Sequence, residues 1–343
     1  MSELVRSEQA GIEFPSMAWT SFDRYGRYGA IVRALRSSLG PGPIRVLDVG
    51  DSAGHLHTFD GELMVIGIDI TVVTERLAGA VVAQADGTRL PFADDSFDAV
   101  VSSDVLEHVP PAGRPAFLAE LQRVSRDLVI IAAPFDTPGV AGVEELVRTY
   151  ALLTLGTEQP QLDEHRANGL PDLAATTELF RDVGWQVETI GDGHLWDWLV
   201  MMLLRFQLEA RPALSPLSNS YDTLYNLSFA ERSMLAPFYR HVVVARSNGE
   251  PRVGDRSFAP ESTVDFASIA AALIAADSTE VSRQDTVPRL DHIQREVEGV
   301  QAQIAHLETR LEALIEMQVN VAEMLHGIRA KLVRVRHPFR RPT

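Results

Sequence analysis

Cysteine is missing altogether from the 343 residues, which excludes disulfides, thiolate nucleophiles and cysteine-ligated zinc together. Positive charge is scarce: 31 Lys and Arg stand against 47 Asp and Glu, for a formal net charge of −16. Such a chain repels a phosphate backbone, and no long basic run interrupts it before the C-terminal end, so nucleic acid is not the expected partner. Long apolar runs are absent too. The start, MSELVRSEQAGIEF, has no apolar core of signal-peptide length, and the most apolar stretch, Leu195 to Phe206, is too short for a bilayer and carries Asp197 and Arg205. The expectation is a soluble, cytoplasmic protein.

What is present suffices for a sizeable core, since 45% of the residues are hydrophobic. Strand-sized apolar runs recur at Arg45 to Gly50, Met64 to Asp69, Phe97 to Ser102 and Asp127 to Ala132, separated by more polar stretches. That alternation predicts βα units around a parallel sheet. Between the last two runs, Phe117, Leu118, Leu121 and Val124 fall at helical spacing, so that crossover is predicted helical. Two more candidate strands follow, Trp185 to Ile190 and His241 to Arg246.

The remainder divides by composition. Residues 1–20 read as a tail, 21–248 as the globular domain, and 249–288, rich in Pro, Ser, Asp and Thr, as a linker with a short apolar helix near Ile269 to Ala276. From Leu290 a three-four spacing sets in, through Ile293, Val297, Val300, Ile304 and Leu307 to Leu332 and Val335, with Gln318 its sole polar seam residue. A period of 3.5 held this long predicts a coiled coil over 289–336, and so a homo-oligomer or a coiled-coil partner. The alternative is an amphipathic helix packed on its own domain. The tail 337–343 continues a basic end, with Arg334, Arg336, Arg340 and Arg341, that suits an acidic partner or an anionic membrane surface.

The most informative segment is Arg45 to Gly54, reading RVLDVGDSAG, where a buried strand runs into a glycine-containing turn. Glycine there allows positive φ and close approach of backbone to a ligand at the carboxyl end of the strand. The second strand ends in Asp69, placed to accept the hydroxyls of a ribose. Then come Asp86 with Gly87, a Leu90-Pro91-Phe92 step, and Ser96-Phe97-Asp98 leading through a fourth strand to Ser103, Asp104, Glu107 and His108.

In this order the motifs resemble the class I S-adenosylmethionine-dependent methyltransferases, in the type 11 group, clearly over residues 25 to 135 and more loosely to 248. The resemblance implies a Rossmann-like seven-stranded sheet with helices on both faces and an antiparallel last strand, His241 to Arg246. It implies S-adenosyl-L-methionine as cofactor. Asp48, Gly50 and Gly54 match the motif that holds its methionine end, Asp69 the ribose acid, and Asp86 the adenine contact, with Gly87 beside it. Ser103 and Asp104 fall near the reacting sulfonium. Two departures stand out: Ser52 replaces the middle glycine, and Asp51 brings a negative charge toward the cofactor carboxylate unless it turns away. The stretches flanking the second strand are also short for full helices.

The sulfonium already makes the methyl electrophilic, so no metal is expected; a hydroxyl acceptor needs a base, and His108, His165 and His194 suit that work. The polar segment Leu162 to Pro171, between helical stretches, resembles segments of methyltransferases encoded among polysaccharide-building enzymes, which points to a small-molecule or glycan acceptor. Trp196 and Trp198 offer either a stacking surface or core. Two other readings fit the same residues: a weakened cofactor-binding module, on account of Asp51 and Ser52, and a scaffold whose business is the coiled coil.

Overall fold

In the computed structural model, the structure describes residues 20–71, 73, 76–211 and 217–247. The tail 1–19, the linker, the coiled coil and the basic end lie outside the described residues. In chain order the elements are α1 (Phe22–Leu39), β1 (Ile44–Val49), β2 (Leu63–Asp69), β3 (Val81–Gln84), β4 (Phe97–Ser103), α2 (Arg114–Val124), β5 (Ser125–Ala133), α3 (Val140–Leu155), α4 (Pro160–Asn168), α5 (Leu173–Asp182), β6 (Gln186–His194), α6 (Leu195–Glu209), α7 (Leu217–Ser228) and β7 (Phe238–Arg246). A 3-10 turn, Leu56–Thr58, is the only regular element between β1 and β2. No helix among the described residues is long and apolar enough to cross a membrane.

The strands form one seven-stranded sheet in the order β3-β2-β1-β4-β5-β7-β6. Strands β1 to β5 pair in parallel, while β7 runs antiparallel to both β5 and β6. The chain steps from β1 outward to β2 and β3, then returns to lay β4 on the other side of β1. This reversal opens a crevice beyond the carboxyl ends of β1 and β4, where open α/β sheets receive ligands.

The central strands read as continuous apolar runs because both faces are covered. On β5, Leu128, Ile130 and Ala132 face one core layer with Ile31, Val32 and Leu35 of α1, whereas Val129, Ile131 and Ala133 face the other with Phe117 and Leu121 of α2 and Phe180 of α5. Each fully buried Leu, Ile or Phe contributes roughly 1.5–3 kcal/mol before entropy is subtracted.

The expected strands at 45–50, 64–69, 97–102 and 127–132 and the helix at 114–124 are all present. Strand β3 was not among the expected strands: its apolar run, Val81 to Ala83, is very short, and as an edge strand it buries only Val82. The segment from Leu162, expected between helices, is itself helical as part of α4. Pro160 at its first turn supplies a ready helical φ, and Gly169 follows its end with positive φ.

Candidate functional site

Strand ends bring most of the expected residues to one edge of the sheet. Gly50 follows β1, Asp69 ends β2, Asp86 lies just past β3, and Ser103 and Asp104 close β4. Register places Asp48 opposite Gly67 on one side and Val101 on the other, so it sits in the middle of this edge.

Asp48 is 1% exposed, and both its carboxylate oxygens lack a hydrogen-bond partner of normal geometry among the described residues. Burial, and then the neighbouring charge of Asp51, push its pKa well above the usual carboxylate range. Ser103 Oγ is likewise buried without a partner. Asp69 and Asp86 are fixed by turns: Asp69 Oδ1 accepts from the Thr71 amide at 2.7 Å, and Asp86 Oδ1 from the Thr88 amide and hydroxyl at 2.9 and 2.7 Å. These bonds to Thr88 hold the Asp86 carboxyl below its ordinary pKa.

The glycines of the site serve the protein's own packing. Gly50 has φ +100°, and a Cβ on it would lie 2.0 Å from Cγ2 of Val105; one on Gly87 would lie 2.5 Å from the ring of Phe117. Gly54, at φ +81°, backs onto Ala80 in the same way. Asp51 is engaged by its own turn. Its carboxylate accepts the amides of Gly54 at 2.8 Å and Ala53 at 3.2 Å, the amide of His55, and His55 Nδ1 at 2.9 Å. Burial alone would raise the Asp51 pKa, but the His55 ring and these amides bring it below the ordinary value.

At the tip of β4 the positions expected near the sulfonium carry further structure. Asp104, with φ +51°, is gripped by Arg240 at 2.6 and 2.8 Å and by Arg27, and Arg240 also holds Asp23 at 2.6 Å. Burial would raise the Asp104 carboxyl; the two guanidiniums overcome it and hold the group far below the carboxylate range. Asp23 also accepts from Trp198 Nε1 at 3.0 Å, and Trp198 stacks on Tyr239 with ring centroids 3.8 Å apart. Trp198 is thus a buried wall, while Trp196 is 45% exposed.

Beside Asp104 opens a cleft of about 320 Å3 whose lining includes Arg27, Asp104, Glu107, His108, His165, Trp198 and Arg240. Helix α4 carries His165 into it and contacts the loop after β4: the Nε2 atoms of His108 and His165 lie 3.3 Å apart. His165 Nδ1 is 2.9 Å from Glu144 Oε1, which also accepts from the Tyr239 hydroxyl at 2.9 Å, and His108 Nδ1 is 2.7 Å from Glu164 Oε2. Glu107 is fully buried, its two oxygens without a partner, and burial together with the charge of Asp104 raises its pKa well above the ordinary value.

Two of the three candidate bases therefore meet at the cleft and the third does not. His194 pairs with Asp197 at 3.0 Å, which Arg232 holds at 2.5 and 2.9 Å, and it does not line this cleft. Sequence reasoning missed Asp23, Arg27, Glu144, Tyr239 and Arg240. No local pattern marks them, because they come from α1, α3 and β7 and converge only through the fold.

The sequence model of a methyltransferase domain matches residues 47–132. The demethylmenaquinone methyltransferase of Beutenbergia cavernae is 32% identical over 175 residues, covering 45% of this chain and 71% of that protein. The protein of the same name from Mycolicibacterium paratuberculosis is 31% identical over 180 residues, covering 48% and 75% respectively. Among solved structures, a SAM dependent methyltransferase from Archaeoglobus fulgidus matches with 15% identity and a TM-score of 0.41, over 64% of this chain and 92% of that one. Joined to a motif order that runs strand by strand along the crevice, the sequence relatives establish that this chain belongs to the class I S-adenosylmethionine-dependent methyltransferases and is an enzyme of that family.

Proposed function

We propose that the protein transfers the methyl group of S-adenosylmethionine to a polar small-molecule or glycan acceptor seated in the cleft beside the tip of β4. The observation that carries this reading is the cleft itself, at the lower end of the size of small-ligand sites and lined by charged and aromatic groups. We assign the cofactor to Asp48, Gly50, Gly54, Asp69, Asp86, Gly87 and Ser103 along the sheet edge, with Asp104 at its boundary with the cleft.

These residues fit the group. The orphaned carboxylate of Asp48 suits the positively charged methionine end, and Asp69 and Asp86, each already oriented by a turn, suit ribose hydroxyls and an adenine amine as acceptors. When bound, the cofactor supplies an electrophilic methyl on a sulfonium. The protein's part is to align the acceptor: Arg27 and Arg240 fix Asp104, Trp198 and Tyr239 make a rigid wall, and the His108–His165 pair with Glu107 forms the polar end at hand for an acceptor proton. The alternative of a weakened module rests on Asp51, Ser52 and the short stretches beside β2; the turn amides and the His55 ring that engage the Asp51 carboxylate speak for an intact site.

The test is incubation with isotopically labelled cofactor and fractionated cell extract, with demethylmenaquinone as a parallel acceptor because the relatives are named for it. Label in a polar fraction is expected. Label in the quinone alone would overturn the polar acceptor and keep the enzyme.

The heptad seam from Leu290 to Val335, outside the described residues, supports self-association as a parallel dimer or trimer, with the basic end free for an acidic partner or membrane surface. Sedimentation of the full chain against one ending near residue 285 tests this, and a monomeric full chain would refute it. The proposed location is cytoplasmic.

A further inference from the structure

We infer that Glu107, His108 and His165 form a binding site for one divalent transition-metal ion at the polar end of the cleft. The argument starts from the tautomers. Each of the two imidazoles has its Nδ1 within hydrogen-bond distance of a carboxylate, Glu164 for His108 and Glu144 for His165. An ionised carboxylate only accepts, so a neutral ring beside it carries its proton on Nδ1. Glu144 is further committed as an acceptor by the Tyr239 hydroxyl on the same oxygen.

The two unprotonated Nε2 atoms then lie 3.3 Å apart, and with ring centroids 4.7 Å apart and planes at 59° the rings converge on a shared space instead of lying along one line. Two lone pairs so placed repel, unless a cation lies between them. Carboxylates behind Nδ1 are also the usual outer partners of metal-bound histidines, fixing the ring and raising its basicity. The spacing suits an ion: ligands about 2.0–2.1 Å from a tetrahedral centre stand about 3.3 Å apart. Glu107 completes the set. Its Oε1 lies 3.9 Å from His165 Nε2, and the donor atoms of all three residues fall within 4.8 Å of one another. A fully buried carboxylate without a hydrogen-bond partner has an unmet need that a divalent ion satisfies.

Two imidazoles and one carboxylate favour zinc or ferrous iron over magnesium, which prefers oxygen donors and keeps its water. All three side chains line the cleft, so a coordination position they leave open would be reached from it. An acceptor oxygen bound there is held in place, and its proton is more easily lost. That role rests on the cleft being the acceptor site; the binding of the ion does not.

The experiment uses the full chain, stripped with chelator, dialysed, and titrated calorimetrically with ZnCl2, with MgCl2 as the comparison and CoCl2 absorbance as a report of the ligand field. One equivalent of zinc is expected, at least ~100-fold tighter than magnesium, as imidazole ligation requires. Glu107→Gln and His108→Ala should each weaken zinc uptake at least ~10-fold. His108 is partly exposed, so its variant keeps the fold, checked by circular dichroism and cofactor binding. Absence of stoichiometric uptake, or uptake unchanged in both variants, would overturn the site and leave a proton shared between the rings. Zinc uptake without methyl transfer to any fraction would keep the ion and sink the proposed acceptor; transfer unaffected by chelator would keep the enzyme and remove the ion from its chemistry.

Discussion

The two ends of the crevice are built in opposite ways. On the side of β1, β2 and β3, Asp48 inside β1 apart, the acidic residues sit at or just past a strand end and are oriented by their own neighbours: Asp51 by amides up to Leu56, Asp69 by Thr71, Asp86 by Thr88. On the side of β4, Asp104 is held by Arg27 and Arg240 and His165 by Glu144 and His108, across 21 to 136 positions of sequence. A site made of strand-end turns depends on backbone conformation, whereas one made of converging side chains depends on the global fold and on charge balance. Perturbations should therefore fail differently at the two ends.

Gly50→Val breaks the first end most severely. A β-branched residue at φ +100° bears backbone strain of roughly 1–3 kcal/mol, and its Cβ would overlap Val105 at 2.0 Å, adding roughly another 1–3 kcal/mol or more. The expected result is loss of measurable cofactor binding, with the reason lying in Val105 and not in the ligand's own space. Titration calorimetry beside a melting curve checks it, and normal binding would mean the turn does not hold the cofactor. At the other end, Arg240→Met strips a buried cation from Asp104 and Asp23 at once. Removing one partner of such a cluster typically destabilises by about 3–5 kcal/mol, which urea unfolding would register as a lower midpoint at constant slope. Since Arg240 is 5% exposed, solvent does little to soften this.

The same contrast explains what could be read from sequence. The positions of the β1 turn, Asp69, Asp86 and the β4 tip at strand ends were legible because each belongs to a short run with its own spacing. The helix at 114–124 was legible because Phe117, Leu118, Leu121 and Val124 all face one core. Strand β3 was not, since an edge strand with one buried residue has no alternation to show. Nor were Glu144 and Arg240, which look like surface charges in their own segments. Of the three candidate bases, His108 and His165 line the cleft. His194 lies elsewhere, because titratability says nothing about which partner a side chain finds, and Asp197 three residues on pairs with it.

A smaller effect is expected from Asp69→Ala. The carboxylate is partly exposed at the end of β2 and supports only the Thr71 turn, so the fold should persist. Loss of a charge-assisted acceptor for ribose hydroxyls should weaken cofactor binding by about 2–3 kcal/mol, roughly 30- to 150-fold. Unchanged affinity in a folded variant would remove Asp69 from the site.

The mildest test is pH, and here the two ends carry opposite signs. Asp104 has a folded pKa depressed by Arg240 and Arg27 against the pull of burial, so the native state binds fewer protons there than the unfolded chain. Its contribution is present above the unfolded value near 4 and is lost as pH falls toward the folded one. Asp48 has a folded pKa raised by burial and by Asp51, so its contribution is full below the unfolded value and declines as pH rises through the folded one. Asp48→Asn removes that decline. In the absence of cofactor, the variant should gain stability relative to the parent as pH rises above the unfolded value near 4, by at most about 1.4 kcal/mol per unit while the unfolded chain has lost the proton and the buried carboxyl still holds it, and the gain should level off once that carboxyl ionises. Asp104→Asn should do the reverse, its deficit shrinking as the medium is made more acidic than about pH 4. Urea midpoints across this range, taken for both variants, decide the matter. Two curves sloping the same way would show that the sheet edge and the cleft are not electrostatically distinct, and would withdraw Asp48 as the unsatisfied acid that a cationic cofactor completes.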